Sequence, residues 1–586
     1  MKTVWVLVIS VLFSVFVLAA PGGGRLPDYE YTEIMRWQVL APVITIPEKE
    51  YTAFFSQPLT PEQIAELSQA GITLVSSYGN IGVLRGPATA FAAFGPGSEA
   101  FPWVQVLLPS IAFLPSTAKP PANFYAISKE DLLKATNADA LQARGLTGEG
   151  VKVCVIDNGF TGELGTRLPK GNVHYLKIKW ITETQPQFVE GYYKAVHGEA
   201  CAEAIFNIAP KAEFFLISAP TLNDRLATYS LIYQGAIKVD LISDSTFYPL
   251  PLDHGDGKGP LGVACAELAS EIPYFFAIGN MSACGSTDRG MYRTVYTDRD
   301  GTRGHDFDSQ ATDKVDRNTL AIEVKSSIPC DILVVLEWDG WPWQVKEDLD
   351  KPWTKEEVIR VQDVDLVVYY RAPMGSLSVV GKSDMNQFSQ GGFPPLEYVY
   401  IEKAKSGTYL IQVANVSDMH NISGVFTRPV EFNVLVYVMG EGEMTLEHCT
   451  REGTVFNMAA AENVVCVGAV GWAGAEWCVM PFSSQGPTSD GRLKPELVAP
   501  NGYFSQALNG PFGGTSAAAP VVAGGAALLL QANPKLSPQG LLETLIKGAT
   551  KLCGSSCNGQ CLAPNPYNYL VGWGLVNFLK CYELVR

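Results

Sequence analysis

The sequence predicts an α/β protein built on a doubly wound parallel sheet, interrupted by an all-β sandwich and preceded by a small α+β unit. Three observations carry that expectation. Helix-like and strand-like stretches alternate through residues 145–285 and again through 452–586, as in a parallel sheet with helices on both faces. VKVCVID (151–157) is a β-run of the kind covered on both faces, and it ends in a carboxylate. Between about 286 and 451 the alternation stops, and short strand patterns separated by Gly, Pro, Asn and Asp replace it.

At 586 residues, 47% hydrophobic and 17% charged, the chain is globular and long enough for about two to four domains. A net charge of −16 argues against nucleic acid as a partner, because neutralising phosphates takes clusters of Lys and Arg. Residues 1–20 combine an early Lys, an apolar run and small residues at Ala19 and Ala20. They read as a secretory signal peptide, which implies a secreted or cell-surface protein; an uncleaved membrane anchor is the alternative. No later stretch is expected to reach membrane-spanning length. Twelve cysteines in an exported chain are compatible with disulfides. Cys466 and Cys478 flank an expected hairpin, and Cys553, Cys557, Cys561 and Cys581 crowd the C-terminal end. The spacing of that last group suits loops or helix faces better than a zinc knuckle.

In chain order, residues 40–118 read as strand, helix, two strands, helix, strand. The first helix starts at Thr60-Pro61-Glu62 and stops at Gly71, and the second is expected in PATAFAAFG (87–95). SIAFLPSTAKPPANFYAIS (110–128) is an exposed linker. The α/β region then opens at about 125. Asp157, followed by Asn158-Gly159, stands where a parallel strand delivers side chains to a ligand crevice. His197 opens an expected helix in VHGEACAE and is one of six histidines. Two further helix–strand pairs end in Ser245-Thr246-Phe247-Tyr248 and Ala277-Ile278-Gly279-Asn280. Asn280-Met-Ser also fits a glycosylation sequon. Near the end, GTSAAAP (514–520) opens a run to Leu530 that is apolar or small on every side, the pattern of a helix buried in a large domain. Thr515 and Ser516 are expected at its capping position, and Pro520 near its first turn.

GTSAAAP, the VHGEACAE…AP-x-A stretch, VID at 155–157, AIGN at 277–280 and PFSSQGPTSDGRLKPELVAPNG (481–502) together resemble the subtilisin-like serine peptidases, or subtilases. The resemblance covers about 145–285 and 452–586. It implies a catalytic domain in two parts, 125–285 and 452–586, with Asp157, His197 and Ser516 as a catalytic triad and Asn280 as an oxyanion donor. The order Asp, His, Ser along the chain is that of subtilisin. It also implies substrate binding by Ser245, Thr246, Ala277, Ile278 and Gly279, and peptide or protein substrates. No cofactor is required for that chemistry, with room for structural calcium. Residues 40–118 resemble a subtilase propeptide, which would act as an intramolecular inhibitor, with self-processing in the linker.

Two departures stand out. Glu199 replaces the Thr that usually follows His-Gly, and a carboxylate there is expected to raise the imidazole pKa; Cys201 lies one helical turn beyond His197. Bulky Phe247 and Tyr248 stand where the family has glycines, which alters the pocket. The insert at 286–451 resembles the jelly-roll domains of the pre-peptidase C-terminal type. Within it Asp298, Asp300, Asp306 and Asp308, and separately Asp339, Asp363 and Asp365, are calcium candidates of unspecific spacing, with solvated turns as the other reading. The competing function is a catalytically silent surface or binding protein that presents its β-sandwich on this scaffold. An α/β-hydrolase esterase lacks the G-x-S-x-G elbow it would need.

Overall fold

The computed structural model describes residues 49–586 apart from short stretches, the longest being 92–100, 116–123, 347–356, 417–428 and 553–566. The expected signal segment, most of the second N-terminal helix, most of the linker, and Cys553, Cys557 and Cys561 lie outside the described residues.

The N-terminal strands β1 (Lys49–Phe55), β2 (Thr73–Tyr78), β3 (Ile81–Gly86) and β4 (Val104–Pro109) make one antiparallel sheet in the order β2-β3-β1-β4. Helix α1 (Pro61–Gln69) starts where the sequence places it, because Thr60 and Gln63 cap each other's backbone N–H groups. A two-residue strand, β5 (Leu114–Pro115), follows.

Among the described residues, the α/β region holds nine strands on a parallel core. They include β6 (Lys152–Asp157), β7 (Val173–Thr182), β8 (Gln185–Glu190), β9 (Glu213–Ser218) and β10 (Leu241–Asp244). Beyond the short β11 (Thr246–Phe247) comes β12 (Tyr274–Ala277), and the sheet is completed by β22 (Val465–Trp472), β23 (Trp477–Val479) and β24 (Leu497–Pro500). The order is β23-β22-β12-β10-β6-β9-β7-β8, with β24 also pairing β22; only β8 and β23 are antiparallel to their neighbours. Helices α2 (Val196–Ile208), α3 (Leu222–Tyr233), α4 (Pro260–Glu271), α5 (Thr515–Ala532), α6 (Pro538–Gly548) and α7 (Phe578–Val585) accompany this sheet. Helix α5 packs on α2 and on β22 in the largest core, where Ala517, Ala518, Val521, Val522 and Leu528 have no exposed surface. At 18 residues α5 is in fact long and apolar enough to cross a membrane, contrary to expectation, but 89% of it is buried inside the protein.

Between these two parts lie β13 (Arg289–Val295), β14 (Leu320–Lys325), β15 (Cys330–Trp338), β16 (Val364–Arg371), β17 (Leu377–Ser383), β18 (Leu396–Ala404), β19 (Gly407–Asn415), β20 (Glu431–Met439) and β21 (Glu443–Leu446). They form two antiparallel sheets, β13-β20-β15-β18 and β17-β16-β19-β14-β21, around one apolar core that includes Trp338, Leu366, Ile411 and Phe432. A disulfide joins Cys284 to Cys449, with Cα atoms 5.8 Å apart, and so ties together the chain's exit from the α/β region and its return. The loop from Asp298 to Asp308 turns its carboxylates onto its own backbone. Asp298 accepts from the N–H groups of Gly301, Thr302 and Arg303, and Asp306 from that of Arg299. Asp339 accepts from the N–H of Glu431. Among the described residues, the one set of three His, Cys or carboxylate ligand atoms within 4.8 Å of one another is Asp157, His197 and Cys201.

Candidate active site

Asp157 is the last residue of β6 and has no exposed surface; His197 is the second residue of α2 and is 8% exposed. The imidazole Nδ1 lies 2.7 Å from Asp157 Oδ2, so Nδ1–H donates to the carboxylate and Nε2 is left as the ring's basic nitrogen. Gly198 makes this approach possible. A Cβ at that position would come within 2.4 Å of the Gly159 carbonyl and 2.7 Å of Asp157 Cβ. Burial works against a charged ring, yet the Asp157 carboxylate holds His197 well above its ordinary value.

Ser516 is the second residue of α5 and fully buried. The capping expectation is corrected here. The cap residue is Gly514, at φ 100°, and Thr515 is the first helical residue. The Thr515 N–H is satisfied from a distant segment, by Asn280 Oδ1 at 3.0 Å. Pro520 falls inside the helix rather than in its first turn. Its missing N–H leaves the Ser516 carbonyl open to side chains, and that carbonyl accepts from Ser245 Oγ at 3.3 Å and from the Cys201 thiol at 3.8 Å. Cys201 Sγ is also 4.0 Å from His197 Nε2, so the thiol touches both the ring and the serine backbone. Burial pushes that thiol up, keeping it a neutral packing group. In this conformation Ser516 Oγ donates to the carbonyl of Ser245 at 2.9 Å.

Asn280 is 2% exposed, which fits poorly with use as a glycosylation site. Its Oδ1 accepts from both the N–H and the hydroxyl of Thr515, each at 3.0 Å, and this fixes which end of the amide is the donor. Thr515 Oγ1 also accepts from the N–H of Gly279 at 3.2 Å, joining the end of the β12 segment to the start of α5. Ala277, Ile278 and Gly279 line a recess beside Asn280, opposite Phe247 and Tyr248. Thr246 does not present its side chain to that recess: its hydroxyl bonds Arg225 at 2.7 Å and Asp244 at 3.1 Å.

The expectation for Glu199 is also corrected. Its carboxylate, fully buried, accepts from the N–H groups of Thr161 (3.0 Å), Gly162 (3.1 Å) and Leu164, and from the Tyr175 hydroxyl at 3.2 Å. It therefore holds the loop after Asp157, and the shift at His197 is traced to Asp157 instead. One turn on, Glu203 binds the Ser505 hydroxyl at 2.6 Å and the N–H groups of Gln506 and Ala507 at 3.1 Å. The His197 helix is thus pinned on both sides by buried carboxylates. Sequence reading missed this, and it missed the fully buried Arg225–Asp244 pair, joined by Tyr274, that anchors the residue before Ser245. A charged residue inside the apolar stretches LNDRLATYSLIY and LISD was the available signal.

Residues 435–574 match the Subtilase family. Serine protease AprX of Bacillus subtilis is 33% identical over 120 residues, 17% of this chain and 27% of that protein. Subtilisin-like protease SBT6.1 of Arabidopsis thaliana is 31% identical over 154 residues, 23% and 13% of the two chains. Pyrolysin of Pyrococcus furiosus is 37% identical over 116 residues, 18% and 8%. The chain thus spans 27% or less of the length of these relatives. Among solved structures, fervidolysin from Fervidobacterium pennivorans aligns at TM-score 0.43 and 13% identity, covering 93% of this chain and 62% of that one. The epidermin leader peptide processing serine protease of Staphylococcus aureus aligns at TM-score 0.45 and 12% identity, covering 92% and 100%. Over residues 435–574, which contain Ser516 and its helix, the chain is similar to the subtilases, the subtilisin-like serine peptidases.

Proposed function

We propose that this chain is an exported serine endopeptidase, made as a precursor, that hydrolyses peptide bonds through an acyl-enzyme. The observation that carries the reading is convergence. Side chains from four separate segments, Asp157, His197, Asn280 and Ser516, gather near the ends of β6 and β12, the strands that flank β10, and at the starts of α2 and α5, with the imidazole already held by its carboxylate. Ser516 is the nucleophile. His197 is the general base and then the acid that protonates the leaving amine, and Asp157 fixes the tautomer and stabilises the imidazolium. To react, the Ser516 hydroxyl leaves the Ser245 carbonyl and turns to Nε2, a rotation between staggered wells. Asn280 and the Ser516 N–H receive the charge that develops on the carbonyl oxygen. Ser245, Thr246, Ala277, Ile278 and Gly279 bind the substrate backbone and the side chain beside the cleaved bond. Residues of this chain carry every step, so no cofactor is required, and calcium in such a fold is structural.

The precursor reading has its own support. The backbone of β5 pairs antiparallel with β11, Leu114 facing Phe247 and Pro115 facing Thr246, so the chain following the N-terminal sheet lies along the proposed substrate strand. In this reading 1–20 is the signal peptide and 40–118 is the propeptide and intramolecular inhibitor. Segments 125–285 and 452–586 form the catalytic domain, and 286–451 is an inserted β-sandwich of the pre-peptidase C-terminal type. The alternative, a catalytically silent binding protein, draws on the Ser516 hydroxyl being engaged with Ser245 and on the bulky Phe247 and Tyr248.

Expression of the full chain alongside Ser516→Ala separates the two. The peptidase reading expects cleavage of a peptide library and a mature N-terminus in residues 116–128, both lost in the variant. Folded wild-type protein that starts upstream of Pro115 and cleaves no peptide would establish the silent scaffold.

A further inference from the structure

We propose that the two-sheet insert supplies one wall of the recess beside Asn280, and that this wall limits the recess to a small apolar side chain on the residue preceding the cleaved bond. The inference rests on the peptidase reading and deepens it.

Position comes first. The recess lies between the segments that follow β10 and β12. The carbonyl of Ser245, next to β11, holds the Ser516 hydroxyl at 2.9 Å, and Asn280 lines the recess itself. A substrate carbonyl placed between Ser516 and Asn280 therefore projects the side chain on its own residue into this space.

The far wall does not belong to the α/β region. Arg289 of β13 and Tyr437 of β20 are direct cross-strand partners in the insert, and both lie against Phe247. The rings of Tyr437 and Phe247 stack at 5.6 Å with 25° between their planes. The Arg289 guanidinium sits 5.2 Å from the Phe247 centroid, and its charge is engaged by Asp288 at 2.7 Å. Leu435 and Ile278 add apolar surface, and the polar Thr454 and Asn457 that also line the space are hydrogen-bonded within the protein. The wall is firmly hung, because the Cys284–Cys449 disulfide ties the insert to the chain four residues after Asn280.

Size decides the occupant. The space is about 40 Å³, whereas a cavity that takes up benzene is roughly 150 Å³. A methyl group fits, and an aromatic ring requires that Tyr437 or Phe247 be cut back. A mostly apolar lining with its one guanidinium already paired favours alanine over an acidic side chain.

The test is the hydrolysis of matched peptides that differ only in Ala, Leu, Glu or Phe before the cleaved bond, using the full-length chain after processing. The wild type is expected to favour Ala over Phe by about 100-fold in kcat/KM. Tyr437→Ala, and separately Phe247→Ala, are expected to shift that ratio at least tenfold toward Phe. Tyr437→Leu, a milder change for folding, should shift it in the same direction by less. The readout is a ratio within each protein, so a general loss of activity does not imitate it. Equal wild-type use of Ala and Phe, a preference for Glu, or an unchanged ratio in the Tyr437 variants would overturn the inference while leaving the peptidase reading intact. A folded chain that cleaves none of the peptides overturns both.

Discussion

The α/β region and the two-sheet insert both bury ionisable groups, but to opposite ends. In the α/β region, His197 has one nitrogen fixed by Asp157, and the other has, among the described residues, a thiol at 4.0 Å. In the contact with the insert, His254 is 2% exposed and held by Glu337 at 2.8 Å, and Glu337 is itself bonded by Asn433 at 2.7 Å and Trp341 at 2.8 Å. Burial opposes the charge on each imidazole, and a carboxylate overcomes it in each. What differs is the second nitrogen, which in His254 faces a further carboxylate, Glu431, at 3.8 Å. In the proposed function the first arrangement exchanges a proton with a substrate, whereas the second joins two parts of the chain. A buried His–carboxylate pair is therefore not a catalytic signature until a nucleophile and an oxyanion donor share its volume.

The largest effect that sharpens this contrast is at Asn280. Asn280→Ala removes a donor from the α/β site alone, and kcat is expected to fall about 10²–10³-fold, the loss known for such a donor in a subtilisin. Steady-state kinetics on one peptide checks it, and a change confined to KM would assign Asn280 to ground-state binding instead.

Next comes pH. In the proposed function His197 must be neutral to accept the Ser516 proton, so its raised pKa predicts activity that is low in acid and rises with pH. The rise in kcat/KM is expected to centre above the ordinary imidazole value of about 6.5. Glu199→Gln should weaken the loop after Asp157 and lower the melting temperature while leaving that limb in place. A downward shift of the limb in Glu199→Gln would restore Glu199 as a partner of the ring.

The smallest effect belongs to the joint between the bodies. Burial lowers His254, but the carboxylates of Glu337 and, to a smaller extent, Glu431 lift it to about 10. A group whose folded pKa is raised contributes fully below its unfolded value, and the contribution is lost as pH climbs through the folded one. The stability that His254 lends is therefore expected to fade between about pH 6.5 and 10. Thermal melts should show wild type losing its advantage over His254→Gln across that window, and a constant gap would contradict this.

Much of this site was legible in the chain. Asp157 ends an apolar strand run, His197 opens a helix before Gly198, and Ser516 precedes a run of small residues, each a local pattern with a mechanism. Most strands of the two antiparallel sheets between 286 and 451 were legible too, from alternation and turn residues. Strands β13 and β21 were not, because RGMYRTV and EMTL are short and weakly patterned and gain their pairing from β20 and β14. The supporting contacts were hidden for a different reason. Glu199 reaches back to Thr161 and Leu164, and the N–H of Thr515 meets an amide 235 positions earlier in sequence. Such pairs depend on how two segments approach in space, which no single window of sequence records. The same holds for Cys284 and Cys449, separated by 165 residues and joined only because the insert's ends return to one place.

The most direct measurement is to treat folded, processed protein with a serine-directed fluorophosphonate and to map the adduct by mass spectrometry. A single adduct on Ser516, lost in His197→Ala with the fold retained, is the expected result. Folded wild-type protein that takes no label at Ser516, or takes as much when His197 is absent, would contradict the assignment of Ser516 and His197 as nucleophile and base.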